Sequence, residues 1–192
     1  MADSRGADMI RIDGQDFADE IAHFSFAAWH QIRQMHELEK LVGFKQLVSA
    51  SFSGTGLDDA GLALICRVAT LENLDLQDTC VTDRGIGLLT QLPALRILRL
   101  KENPQLTNAC LPALVRLKGL VELQLHESAI DQAGLPQLAA LNQLRDLCLD
   151  ADNTGTSPEA VLSLSRQLPR CRILVKGRGE ALGGAFQGHW PA

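Results

Sequence analysis

Apolar residues along this chain recur in short blocks with a fixed internal grammar. Four blocks read LENLDL, LRILRL, LVELQL and LRDLCL, and LVSASF and CRILVK are worn copies before and after them. They start at Leu47, Leu71, Leu95, Leu120, Leu144 and Cys171, a nearly constant interval that lengthens only before the last. Alternation of period two puts the leucines of each block on one side and the residues between them on the other, which predicts a short strand. Further along each unit comes a second apolar pair, Leu57/Leu62, Val81/Ile86, Leu106/Leu111 and Ile130/Leu135. The stretch that follows, as in GIGLLTQLPAL, carries apolar residues three and four apart, which predicts a helix.

Each unit is therefore a strand, a turn and a helix with one apolar side apiece. A lone unit cannot bury that side, but stacked units share a continuous core. Thr82, Asp83, Thr107, Asn108 and Asp131 stand where helix N-caps belong. Pro112, Pro136 and Pro158 stand near helix starts, where few backbone donors are lost.

The segments VTDRGIGLL, LDDAGLALI and IDQAGLPQL, joined to the L-x-x-L-x-L strands, resemble the leucine-rich repeat family, in particular its bacterial and F-box-associated subtype with TD-x-GL-x-x-L units. The resemblance covers roughly residues 47–176. It implies an α/β solenoid, with a curved parallel sheet on the concave side and helices on the convex side, and it implies protein binding as the usual activity. The family's asparagine after the strand occurs only as Asn103; Thr55, Thr79, Ser128 and Asp152 stand at the equivalent places and are able to bond the turn backbone.

The flanks are read as an N-terminal segment and helical cap over residues 1–46 and a Gly-rich tail over 177–192. Phe17, Ile21, Phe24, Ala28, Ile32, Met35, Leu38 and Val42 have three-and-four spacing, which predicts an amphipathic helix, or two joined near Ser25, covering the first unit's open edge. Before it, IRIDGQDF suits a small hairpin, because Asp-Gly favours a tight turn. The tail KGRGEALGGAFQGHWPA has no period and is expected to be mobile or loosely packed over the last unit, as simple capping or disorder, with Phe186 and Trp190 as a clamp or short recognition motif in the alternative reading.

Charge and cysteine content narrow the function. A net charge of −5 without a basic run argues against nucleic acid as the main partner. No apolar window reaches the roughly 20 residues of a membrane span, and MADSRGADMIRIDGQD has no secretory signal pattern. Five scattered cysteines without a CxxC pair read as free thiols, so the expected location is cytoplasmic, with no cofactor and no metal. His23, His30 and Glu37 recur at every second helical turn, about 10.5 Å apart on a helix, too far to share one ion.

In the solenoid, residues between and beside the strand leucines project from the concave face. After a serine strip at Ser49, Ser51 and Ser53, these are Asn73, Asp75 and Gln77, then Ile97, Arg99 and Lys101, then Glu122, Gln124 and His126, then Asp146, Cys148 and Asp150. Six strands about 4.8 Å apart make a face about 24 Å wide, enough for a protein partner. Arg99 and Lys101 form a basic centre among acidic neighbours, and Ile97 is an apolar residue amid charges. The expectation is a non-enzymatic module binding a partner protein here. The alternatives are an immunity protein neutralising a secreted bacterial toxin, a ubiquitin-ligase-type adaptor, for which residues 1–46 lack an F-box pattern, and a Cys-dependent enzyme. His126, Cys148 and Asp150 are the residue types of a thiol site, but an open face lacks water exclusion and oxyanion donors. The open edge of the last unit leaves a homodimer open.

Overall fold

Seven short strands lie side by side in parallel, and two more extend the same sheet. In the computed structural model, which describes residues 8–152 and 155–190, a hairpin comes first: β1 (Met9–Ile12) and β2 (Gln15–Ala18) pair antiparallel on their own. Then follow β3 (His23–Ser25), β4 (Ser49–Ser51), β5 (Asn73–Asp75), β6 (Ile97–Arg99), β7 (Glu122–Gln124), β8 (Asp146–Leu149) and β9 (Arg172–Val175), each parallel to the next. The antiparallel strands β10 (Gly179–Leu182) and β11 (Ala185–Gly188) finish the sheet.

The centre residues of the parallel strands stand in one register row: Phe24, Ala50, Leu74, Leu98, Leu123, Leu147 and Ile173. All seven are buried, and so are the paired apolar residues further along each unit, from Leu57/Leu62 to Ile130/Leu135. Helical turns face the sheet across this core. They are α1 (Asp59–Ile65), α2 (Asp83–Ile86) with a 3-10 turn at Gly87–Gln91, α3 (Leu111–Leu114), a 3-10 helix at Leu135–Ala140 and α4 (Pro158–Gln167). Most are only a turn or two long, because so short a unit has little chain left after its strand and two corners.

The strand exits are closed from within. Thr55, Thr79 and Ser128 each donate a hydroxyl hydrogen bond to the carbonyl three residues back, of Phe52, Leu76 and Leu125. Asn103, fully buried, donates through Nδ2 to the carbonyls of Leu76, Leu100 and Lys101, and its Oδ1 accepts from the Thr79 N–H and the Gln105 amide. Asp152, the fifth such position, instead pairs with Arg178.

A second ladder runs along the helix starts. Thr82 caps α2, and the carboxylate of Asp59 in the preceding unit accepts from its N–H (2.8 Å) and its hydroxyl (2.6 Å). Asp83 takes the same two bonds from Thr107, at 2.8 and 2.6 Å, and Gln132 accepts from the Ser157 N–H at 2.8 Å. The glycine that recurs shortly after the helix cap has a physical cause here. A Cβ on Gly85 would sit 2.0 Å from Asp59 Oδ1, and one on Gly134 would sit 2.2 Å from Asn108 Oδ1. Gly85→Ala is expected to cost about 1–2 kcal/mol by displacing the Asp59–Thr82 bonds. Gly87→Ala, with nothing within 4 Å of its Cβ, is expected to be neutral or slightly stabilising. Urea melts of both variants check this contrast, and equal losses would refute the ladder's role.

Both flanks differ from the sequence reading. Residues 16–42 do not form the expected helix; they hold β2, β3 and most of a 3-10 helix at Met35–Gly43. Phe24 and Phe26 alternate around Ser25, a strand pattern, and the small Ala50 beside Phe24 leaves room for an aromatic cluster. The Phe24 ring lies 5.0 Å from Phe26, 5.5 Å from Phe52 and 4.8 Å from Phe17. Packing these rings together outweighs the three-and-four spacing. The Asp13-Gly14 hairpin forms as expected, with both residues at positive φ. The tail is the β10–β11 hairpin turning at Gly183-Gly184, also at positive φ. Phe186 stands edge-on to Trp190 at 5.5 Å against the core, so these rings cap the last unit.

Candidate functional site

On the side of the sheet away from the helices, the outward residues align in rows. Ser49, Asn73, Ile97, Glu122, Asp146 and Arg172 form one, and Ser51, Asp75, Arg99, Gln124, Cys148 and Leu174 the next. Gln77, Lys101 and His126 follow at the strand exits, where the N–H groups of Asp78 and Glu102 bond the carbonyls of Lys101 and His126. The sequence-derived residues from Asn73 to Cys148 are thus brought onto one continuous face, half-exposed.

Asp150 is the exception. It is buried, and its Oδ2 accepts a hydrogen bond from the Glu127 N–H, so it holds a corner and does not present a charge on the face. The alternation that put it outward ends at Leu149, where β8 stops. Arg172, Leu174 and Lys176 were missed, because CRILVK follows its predecessor at a longer interval than the other blocks and lacks the L-x-x-L opening. Their alternation with the buried Ile173 and Val175 was the available signal.

Charges on the face pair with one another, some between adjacent strands and one, Lys176 with Glu127, from the exit of β9 to that of β7. Arg172 binds Asp146 through two nitrogens, at 2.6 and 2.7 Å, and Lys176 pairs with Glu127. The side-chain hydrogen bond from Lys176 pulls the Glu127 carboxyl below its ordinary range and holds the Lys176 ammonium above its own. The centre is looser: Arg99 stands 3.8 Å from Glu122, and Lys101 stands 3.7 Å from Glu102. Asp75 accepts from the Ser51 hydroxyl (3.3 Å) and the Gln77 N–H (3.0 Å).

Over β7, β8 and β9 the face dips into a recess of about 380 Å³, lined by Glu122, Gln124, His126, Asp146, Cys148, Arg172, Leu174 and Lys176. Burial pushes the Cys148 thiol up to about 11, so at neutral pH it holds its proton and lacks the thiolate that a nucleophile needs. Burial also lowers the pKa of His126, which favours the neutral ring. His126 and Cys148 both line the recess, while Asp150, buried and accepting from the Glu127 N–H, does not. Among the described residues no cluster of His, Cys, Asp and Glu is placed to hold a metal ion, and no helix is long and apolar enough to cross a membrane.

One backbone position repeats along the rim where strands exit. Trp29, Gly54, Asp78, Glu102 and Glu127 all lie in the left-handed region, with φ between 50° and 67°, and follow one another at the spacing of the units. Trp29 is 95% exposed.

A parallel ladder of three- and four-residue strands, a short helical segment in each repeated unit, and buried Asn, Thr and Ser at the strand exits define a leucine-rich repeat solenoid. Among solved structures, internalin C2 of Listeria monocytogenes is similar with a TM-score of 0.57 and 24% identity, over 74% of this chain and 56% of that one. LegL7 of Legionella pneumophila, a leucine-rich repeat-containing protein, gives 0.48 and 16% over 78% and 54%. The leucine-rich repeat ectodomain of the Arabidopsis receptor kinase HAESA, solved with a peptide hormone, gives 0.49 and 16% over 71% and 23%. The chain therefore spans little more than half the length of the internalin, and the likeness is one of fold. No family model matches the sequence, and neither does any curated protein.

Proposed function

We propose that this chain is a non-enzymatic module that binds a partner protein through the strand face. One observation carries the reading: the centre of a face made by seven in-register strands bears Arg99 and Lys101 with their acidic neighbours 3.7–3.8 Å away. Exposed ion pairs this long contribute about 0–1 kcal/mol to folding. Charges so held serve the stack little, and they suit steering and registering a partner of complementary pattern. Half-exposed Ile97 beside Arg99 supplies apolar contact at the same place. The raised thiol of Cys148 speaks against the Cys-dependent alternative. Five unpaired cysteines fit a reducing compartment such as the cytoplasm.

The test is affinity capture from lysate of the source organism with wild-type protein and the Arg99→Glu/Lys101→Glu variant, read by mass spectrometry. One dominant partner is expected, with roughly a tenfold or larger loss of affinity in the variant. A partner held equally by both would move the function off this face. A toxin as the captured protein would establish the narrower inhibitor role.

A further inference from the structure

We propose that the recess over β7–β9 is the anchor pocket of the strand face and that it receives one aromatic side chain with a hydrogen-bonding tip, of the tyrosine type, from the bound protein. This rests on the reading of the strand face as the binding surface, and it adds what the partner must present there.

Four features select that side chain. The first is size: about 380 Å³ is at the lower end of ligand pockets, which run from about 300 to 1,000 Å³, and suits one large side chain. The second is charge. Every charged group in the lining already has a partner: Arg172 with Asp146, Lys176 with Glu127, and Glu122 with Arg99 and the Gln124 amide. An entering charge would lose its water without gaining a free counter-ion, so the recess favours a neutral guest.

The third feature is an apolar wall. Leu174, 43% exposed, is the one large apolar side chain that the parallel strands leave in the open among the described residues. Beside it Cys148 keeps its proton and presents a soft, uncharged sulfur. Such a wall suits the face of an aromatic ring.

The fourth feature is an unmet hydrogen bond. His126 lines the recess, and its ring has no hydrogen-bond partner among the described residues; Nδ1 is itself enclosed, which leaves Nε2 as the nitrogen that a guest in the recess would meet. Aliphatic and phenyl side chains have no group to offer the ring. A phenol hydroxyl both donates and accepts, so it serves either tautomer of a neutral imidazole. Size, neutrality, wall and tip together point to tyrosine.

The probe needs no knowledge of the partner. The full chain is titrated with N-acetyl-tyrosinamide, N-acetyl-phenylalaninamide and N-acetyl-leucinamide while the Leu174 methyl and His126 ring signals are followed by NMR. Both sets are expected to shift with the tyrosine analogue, which should bind about five- to tenfold more tightly than the phenylalanine analogue. His126→Ala should erase that preference and keep the residual aromatic binding, and Leu174→Asp should abolish both. Intermolecular NOEs from the tyrosinamide ring to the Leu174 methyls provide a reading in the unmodified protein, independent of whether either variant folds. Absence of these NOEs, or binding of the leucine analogue as tight as that of the tyrosine analogue, overturns the pocket. If the pocket fails while the captured partner is still lost with Arg99→Glu/Lys101→Glu, the face remains the binding surface and only its anchor is wrong. If the probe binds and the partner ignores that double change, the pocket stands and the wider face reading falls.

Discussion

Asn103→Leu is expected to lower the unfolding free energy by about 3–4 kcal/mol, and with it the melting temperature by roughly 10 °C for a domain of this size. The leucine side chain branches at the same carbon but is larger, so crowding adds to the loss; most of it would come from bonds. The Asn103 amide serves three carbonyls, at 2.8 Å for Leu76, 3.0 Å for Leu100 and 3.2 Å for Lys101. Its oxygen takes the Thr79 N–H at 3.0 Å. The side chain is 0% exposed, so water does not replace these partners. Asn103→Thr should lose markedly less, because Thr55 and Thr79 already bond the carbonyl three residues back, at 2.6 and 3.0 Å. Denaturant melts of the two variants decide the matter; leucine and threonine costing the same would mean that the bonds contribute little.

The second large effect is expected at Asp13, beneath the loop that carries Trp29. Its carboxylate accepts from the Arg33 N–H (3.0 Å) and the Gln34 N–H (2.9 Å) and pairs with His30 Nε2 at 2.6 Å. Burial works to raise its pKa, but the hydrogen bonds from Arg33, His30 and Gln34 outweigh burial and hold it below the ordinary carboxylate value. Asp13→Ala leaves two amides and an imidazole without their acceptor and should cost about 2–3 kcal/mol. The Arg33 and Gln34 amides should then exchange hydrogen faster than in the wild type. In the unfolded chain this carboxyl takes up its proton near pH 4, and in the native chain only at lower pH. Its contribution is therefore complete above about pH 5 and is lost as pH falls through the native value. Asp13→Asn should flatten, without abolishing, the loss of stability between about pH 5 and 3, because Glu127 and Asp131 are also held low by hydrogen bonds. An unchanged acid slope would show that the carboxylate is not what holds the loop.

The strands, their register and the buried faces were legible because L-x-L alternation repeats at a nearly constant interval, and each copy reinforces the others. The Asp13-Gly14 turn was legible because the pair has one strongly favoured local conformation. The first parallel strand was not. His23–Ser25 is too short for period two to stand out from apolar residues that happen to fall three and four apart. The closing hairpin carried its own mark, Gly183-Gly184, which the absence of any leucine spacing around it obscured. At the candidate site, sequence alternation placed Asn73 through Cys148 on the open face. It could not place Asp150, because a corner's direction depends on which backbone N–H needs an acceptor, here that of Glu127. Nor does a linear pattern give depth: the recess is shared by β7, β8 and β9, whose residues come together only when the units stack.

The rim of left-handed residues has a consequence for how this molecule could change over generations. At Trp29, Gly54, Asp78, Glu102 and Glu127 the chain requires a left-handed backbone angle, which disfavours β-branched residues, while the side chains stay out of the interior. Tryptophan, glycine, aspartate and glutamate already occupy equivalent places. Such sites let a lineage diversify its outer lettering while the stack beneath stays under strict constraint. A combinatorial library at the first four of these codons, restricted to residues that tolerate the left-handed angle, would explore new recognition while Glu127 keeps its pairing with Lys176.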